Sequence, residues 1–223
     1  MCGRFVLFSN VTVISRELNI HQVPFDFAAS YNIAPGQDVV AVINRGAGNE
    51  LVTFRWGLIP FWSKDPKIGN RMINARGETV TEKASFRTPF KKRRCLIVAD
   101  GFYEWRKEGK GKVPVYVFLK SRRPFGLAGL FDSWNSPAGE EISTCTIITT
   151  EANELLRQVH DRMPVIIPQE SRGLWLDTAS GDAKSLTKLL VPYPSDLMDH
   201  HDVSRFVNSP KNNSPVCIQP AAE

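Results

Sequence analysis

An α+β fold is predicted, with a mostly antiparallel, barrel-like β core and short peripheral helices. Three observations carry this reading. Seven short runs of alternating or β-branched residues dominate the chain, Gly-, Pro- or Asn-containing turns separate most of them, and the connections between neighbours are too short for βαβ crossovers. At 223 residues, 42% hydrophobic and 23% charged, the composition is that of a globular chain able to bury a sizeable core. No linker or repeat divides it. A single domain over residues 1–223 is therefore expected, with the Pro/Ser/Asn-rich tail from Asn208 as a terminal extension.

In chain order, strands are expected at residues 4–8, 39–44, 51–57, 94–98, 113–119, 125–131 and 143–149. Helices are fewer. The 3.6-residue spacing marks Val11–Leu18, with Val11, Ile14 and Leu18 on one face; residues 152–159, with Leu155, Leu156 and Val159 inward; and residues 183–190. Residues 135–141 read as a surface loop.

Several classes are excluded. No apolar run nears the roughly 18 residues that cross a bilayer, and the first residues lack the basic-then-apolar pattern of a secretory leader, so the expectation is a cytoplasmic protein without membrane contact. The four cysteines, Cys2, Cys95, Cys145 and Cys217, are far apart and lack metal spacing, so neither a disulfide framework nor a metal or other cofactor is expected. Cys95 and Cys145 fall in apolar strands and read as inert buried thiols. His21, His200 and His201 read as structural, although the adjacent His200 and His201 have metal-ligating chemistry. The net charge of +5 is compatible with a polyanionic partner, but the densest basic run, Lys91-Lys92-Arg93-Arg94, reads first as a solvated face.

The N-terminus is the most unusual feature. Cysteine follows the initiator Met directly and becomes the first residue if Met1 is removed, as a small second residue permits. It then carries a thiol and an α-amine on adjacent carbons. At pH 7 about one α-amine in ten is neutral against about one lysine in 2,500, a head start of about 3 kcal/mol for attack on a carbonyl. A neutral amine and an aldehyde give a Schiff base, and the neighbouring thiol can close on the imine carbon as a five-membered thiazolidine. Gly3 then permits close backbone approach, and Arg4 brings a cation beside the nucleophile.

Six separated motifs follow one another: Met-Cys-Gly-Arg-Phe at 1–5, Tyr-Asn-Ile-Ala-Pro-Gly at 31–36, Trp-Gly-Leu-Ile-Pro-x-Trp at 56–62, Asn-Ala-Arg at 74–76, Ala-Asp-Gly-Phe-Tyr-Glu-Trp at 99–105 and His-Asp-Arg-Met-Pro at 160–164. In that order they resemble the SRAP family, the SOS-response-associated peptidase domain whose members form covalent links to abasic DNA. The resemblance covers nearly the whole chain. It implies catalytic roles for Cys2, Asn74, Glu104 and His160, and DNA contacts for Arg4, Arg76 and Arg162. It further implies that the partner is single-stranded DNA containing abasic sites, met by a monomeric protein that joins the nucleoid when bound to DNA. One departure follows Trp62, where some members place a second aromatic and this chain has Ser63.

Elementary chemistry fits these roles. Glu104 sits between Tyr103 and Trp105, and partial desolvation would raise its pKa enough to shuttle a proton for the attacking amine. His160 follows the helix expected at 152–159, where the helix dipole and Asp161 favour an imidazolium able to open the sugar to its aldehyde. Trp62 and Pro35 are candidates for a wedge or stacking platform against unstacked bases, while Trp56, Trp105, Trp134 and Trp175 read as core. An abasic nucleotide offers no base to read, so weak sequence specificity is expected. Two other classes compete. A cysteine-dependent peptidase, acting at least on its own N-terminus, would use the same constellation; a non-catalytic single-stranded DNA module would keep the arginines and Trp62 but not need Cys2, Glu104 or His160. Within the first class the thiol decides the product, because a Schiff base left open leads to strand cleavage by β-elimination.

Overall fold

The computed structural model describes residues 2–179 and 182–221. Its strands are β1 (Phe5–Leu7), β2 (Ile20–Gln22), β3 (Ser30–Ile33), β4 (Asp38–Asn44), β5 (Asn49–Trp56), β6 (Asn74–Arg76), β7 (Arg94–Ala99), β8 (Gly101–Glu108), β9 (Gly111–Leu119), β10 (Phe125–Asn135), β11 (Glu141–Glu151), β12 (Arg162–Pro164), β13 (Ile166–Ile167) and β14 (Met198–Asp202). The helices are α1 (Val11–Leu18), α2 (Arg87–Lys92), α3 (Arg172–Leu176) and α4 (Ala183–Thr187).

The architecture is the expected α+β one. One sheet runs β12-β11-β10-β7-β4-β5-β2, and β11 also pairs with β5, in parallel, through Thr144↔Arg55 and Cys145↔Trp56. That pairing closes β5, β4, β7, β10 and β11 into a barrel and removes two sheet edges. The second sheet, β14-β9-β8-β1-β3, is antiparallel throughout. Strands buried on both faces read as unbroken apolar runs. Residues 39–43 of β4 and all of β7 are of this kind, and α3 and α1 pack on β7 and β10 from outside.

Helix α1 has the predicted bounds. Asn10 accepts the Val13 N–H at 3.0 Å as its cap, Asn19 ends it at φ 51° in the left-handed region, and Ile14 and Leu18 are buried. Three expectations need correction. Residues 152–159 form no α-helix; only a 3-10 turn survives at Leu156–Gln158, because the Asn153 side chain takes the Leu156 N–H at 3.0 Å and donates to the Tyr193 carbonyl at 2.7 Å. In residues 183–190 the helix stops at Thr187. The basic run is a solvated face only at Lys91 and Lys92: Arg94 is fully buried against Trp175, donating to the carbonyls of Phe90, Lys91, Trp175 and Asp177, while Arg93 pairs with Asp132 at 2.6 Å.

The tail from Asn208 is likewise no free extension. It folds back across β3 and β8, burying Cys217 and closing on Val203 through a bridge at Pro220. Buried Asn32 is its anchor, donating from Nδ2 to the carbonyls of Val207, Ser209 and Asn212 at 3.1, 2.9 and 2.7 Å. Among the described residues no helix is long and apolar enough to cross a membrane.

Candidate active site

The site grows from the pairing of β1 with β8. Phe5 lies opposite Phe102, and the Tyr103 N–H donates to the Arg4 carbonyl at 2.9 Å, so the residues ahead of β1 run beside Glu104. Cys2 is fully buried there, its Sγ 3.9 Å from the Arg4 carbonyl. Asn74 arrives from the barrel: β6 lies parallel to β11, with Asn74 opposite Ile147, and Asn74 Nδ2 donates to the Cys2 carbonyl at 2.8 Å. Asn74 Oδ1 is buried and meets no donor among the described residues, an acceptor held ready beside the cysteine backbone.

Charge links the cysteine to the other two candidates. Burial pushes the Cys2 thiol well above the ordinary thiol range, and the Glu104 carboxylate adds to the shift. Burial also raises Glu104 above the usual carboxylate range, against the pull of His160. His160 is half-buried on the turn before β12. Its Nδ1 accepts the Arg162 N–H at 2.9 Å and lies 2.8 Å from Asp161 Oδ1. Nδ1 can accept from Arg162 only in the tautomer that leaves it bare and can donate to Asp161 only when it carries a hydrogen, so the two contacts belong to different hydrogen placements on the ring. Asn74 by its hydrogen bond and Glu104 by its charge thus reach Cys2, and His160 acts electrostatically on Glu104.

The arginines differ in freedom. Arg76 is exposed at the end of β6. Arg4 is half-buried, its Nη1 committed to Asn32 Oδ1 at 2.6 Å and the Val207 carbonyl at 2.9 Å, with the guanidinium 5.7 Å from the Trp105 ring centre. Arg162 is engaged by Glu78 in a two-point ion pair.

Two turns project apolar groups at the barrel end that β5 leaves. Ala34-Pro35-Gly36-Gln37 closes with Gln37 N–H to the Ala34 carbonyl at 3.3 Å, and Gly36 at φ 86° meets the left-handed demand of a type II turn, exposing Pro35. At Gly57, φ 128°, the 3-10 segment Pro66–Arg71 packs so closely that a Cβ would sit 2.8 Å from the Gly69 carbonyl oxygen. The loop that follows Gly57 exposes Trp62 by 50% and Phe61 by 58%. It is pinned by Phe61 N–H to Asp132 at 3.1 Å and by Trp134 Nε1 to the Ser63 carbonyl at 2.6 Å. The second exposed aromatic thus precedes Trp62 rather than following it, and sequence reasoning missed it. It also missed Asn32, whose only signal was its place beside Tyr31 in the second motif.

Among the described residues no group of three or more His, Cys, Asp or Glu is arranged for a metal. The fold is a closed β barrel flanked by a second antiparallel sheet, and residues 1–210 match the family described as SOS response associated peptidase (SRAP). The chain belongs to that family. Abasic site processing protein YoqW of Bacillus subtilis is 50% identical over 222 residues, covering 98% of this chain and 99% of its own. Abasic site processing protein HMCES of Xenopus tropicalis is 35% identical over 191 residues, covering 75% of this chain and 56% of its own. A crystal structure of a protein from Bacteroides thetaiotaomicron, 29% identical, matches with a TM-score of 0.88 over 99% of this chain and all of that one.

Proposed function

We propose that this protein captures abasic sites in single-stranded DNA covalently, through the amine and thiol of Cys2 once Met1 has been removed. The observation that carries the reading is the Asn74 hydrogen bond to the Cys2 carbonyl within electrostatic reach of Glu104 and, beyond it, His160. The names of the relatives, abasic site processing proteins, agree with it.

His160 gives a proton to the ring oxygen as the deoxyribose opens to its aldehyde and recovers one, through solvent, from the C1′ hydroxyl; the neutral α-amine then adds to C1′. Glu104 takes the amine proton and returns it as the carbinolamine loses water. The thiol adds to the imine carbon while its proton passes to nitrogen, closing the thiazolidine. Because burial keeps the thiol protonated, that proton is available at neutral pH. Arg4, through its uncommitted Nη2, together with Arg76 and Arg162 would hold phosphates, and Pro35, Phe61 and Trp62 would splay the flanking bases. The same constellation would serve self-cleavage at Met1, the peptidase activity that the family description names.

The test is a single-stranded oligonucleotide with one abasic site, run on a denaturing gel. The protein should give a shifted band without reductant, and an intact strand none. Cys2→Ala keeps an amine but no thiol, so its adduct should need borohydride to survive and should cleave more strand. A stable unreduced adduct from that variant would overturn the thiazolidine.

A further inference from the structure

Arg162 presents an unusual arrangement at the rim of the site. Its Nη1 and Nη2 meet Glu78 Oε1 and Oε2 at 2.6 and 2.9 Å, and Nη2 also donates to the Thr149 carbonyl at 2.7 Å. The Arg162 side chain is only 16% exposed while that of Glu78 is 51% exposed, and Arg162 Nε is buried without an acceptor among the described residues. The edge of the guanidinium open to solvent is thus the Nη1/Nη2 fork, and Glu78 fills it. A carboxylate and a phosphodiester each offer such a fork two anionic oxygens. Position matters as much as shape. Glu78 lies in the 3-10 turn Gly77–Thr79 directly after Arg76, and Arg162 opens β12 with its N–H on His160 Nδ1.

We propose that Glu78 is a specificity-determining residue that stands in for a DNA phosphate on Arg162, to be displaced by a strand seated in the site. The proposal rests on the single-stranded DNA reading given above. With Glu78 in place the pair has no net charge, so a strand drifting over the surface gains nothing from Arg162. A strand whose abasic nucleotide sits at Cys2 brings a phosphate to the fork, and the displaced, solvent-facing carboxylate turns into water. Arg162 then rewards only seated strands, which discriminates against incidental contact in a protein with no base to read.

Glu78→Gln tests this, because it keeps shape and one acceptor but removes the charge. Binding of undamaged single-stranded DNA is measured by fluorescence anisotropy across a salt series. The variant should bind three- to tenfold tighter at low salt, with the slope of log Kd against log salt steeper by about 0.7, the increment for one phosphate on a single strand. In an Arg162→Gln background the same substitution should add nothing. Glu82→Gln, which removes an equal charge from an exposed neighbour, should change binding less. Unchanged or weaker binding by Glu78→Gln, or an equal effect from Glu82→Gln, overturns the exchange. Wild-type crosslinking to an abasic strand reports the underlying reading separately. If wild type crosslinks and Glu78→Gln shows no gain, the exchange alone fails; if Glu78→Gln gains affinity and nothing crosslinks, the chemistry alone fails; if nothing binds, both fail.

Discussion

Asn74 Nδ2 donates to the main-chain carbonyl of Cys2 at 2.8 Å, across 72 positions of sequence. This contact fixes the backbone from which both proposed nucleophiles hang. Asn74→Ala should cost only about 0.5–1.5 kcal/mol of stability, the net worth of one hydrogen bond. It should slow single-turnover crosslinking about 10²-fold, because small misplacements of a reacting group carry penalties of that order. Asn74→Asp, which turns an acceptor toward the Cys2 carbonyl, should be slower still. Wild-type rates from Asn74→Ala would show that the contact does not position Cys2.

Asn32 holds the C-terminal segment to the strand that follows the cysteine. Its Nδ2 serves three tail carbonyls and its Oδ1 accepts from Arg4. Asn32→Ala removes all four hydrogen bonds at once, and a loss of about 2–4 kcal/mol is expected in urea denaturation. Residues 208–221 should become the first site of limited proteolysis. If the tail stays protected and stability is unchanged, the anchor lies elsewhere.

What the sequence revealed and what it hid divide along physical lines. Unbroken apolar runs such as residues 39–43 declare strands buried on both faces, and α1 declared itself by its spacing and caps. Strand β8 gave no such pattern, because Glu104 breaks the run of Phe102 and Tyr103 with a buried carboxylate. Asn153 defeated the helix periodicity around it through side-chain hydrogen bonds that no pattern of apolar residues records. Arg94 shows a second limit: charge runs are read as solvated, yet four carbonyls brought together by distant packing cage this one. Motif order located the four candidate catalytic residues, but the closure of β5 on β11, which brings β6 and Asn74 to the cysteine, is a non-local parallel pairing without a local signal.

Phe61 and Trp62 offer a direct check on the proposed DNA surface. Both are about half exposed or more, on a loop held at Asp132 and Ser63. A base stacked on an aromatic is worth about 1–3 kcal/mol by alanine substitution. Phe61→Ala and Trp62→Ala should each weaken single-stranded DNA binding by an amount in that range and leave Tm within a degree or two. Equal affinity in the double variant would place the stacking surface elsewhere.

Glu104 separates chemistry from stability most sharply, because burial sets the two against each other. The carboxyl is raised above its ordinary range chiefly by desolvation, so the folded protein holds this proton to higher pH than the unfolded chain does. Stability from the protonated form is fully present below the unfolded value of about 4.3 and is lost as pH rises through the folded value. Glu104→Gln mimics the neutral form at every pH. It should match wild type in Tm near pH 4 and exceed it at pH 7 to 8, the gap opening as wild-type Glu104 ionises. Its crosslinking rate should nevertheless fall about 10²- to 10⁴-fold, the range for a lost general acid–base group, with DNA affinity little changed. A more stable and less active variant cannot owe its lost rate to unfolding. If Glu104→Gln were instead destabilised at neutral pH, or crosslinked at the wild-type rate from pH 5 to 8, the carboxyl would be a structural element and its assigned part in proton transfer wrong.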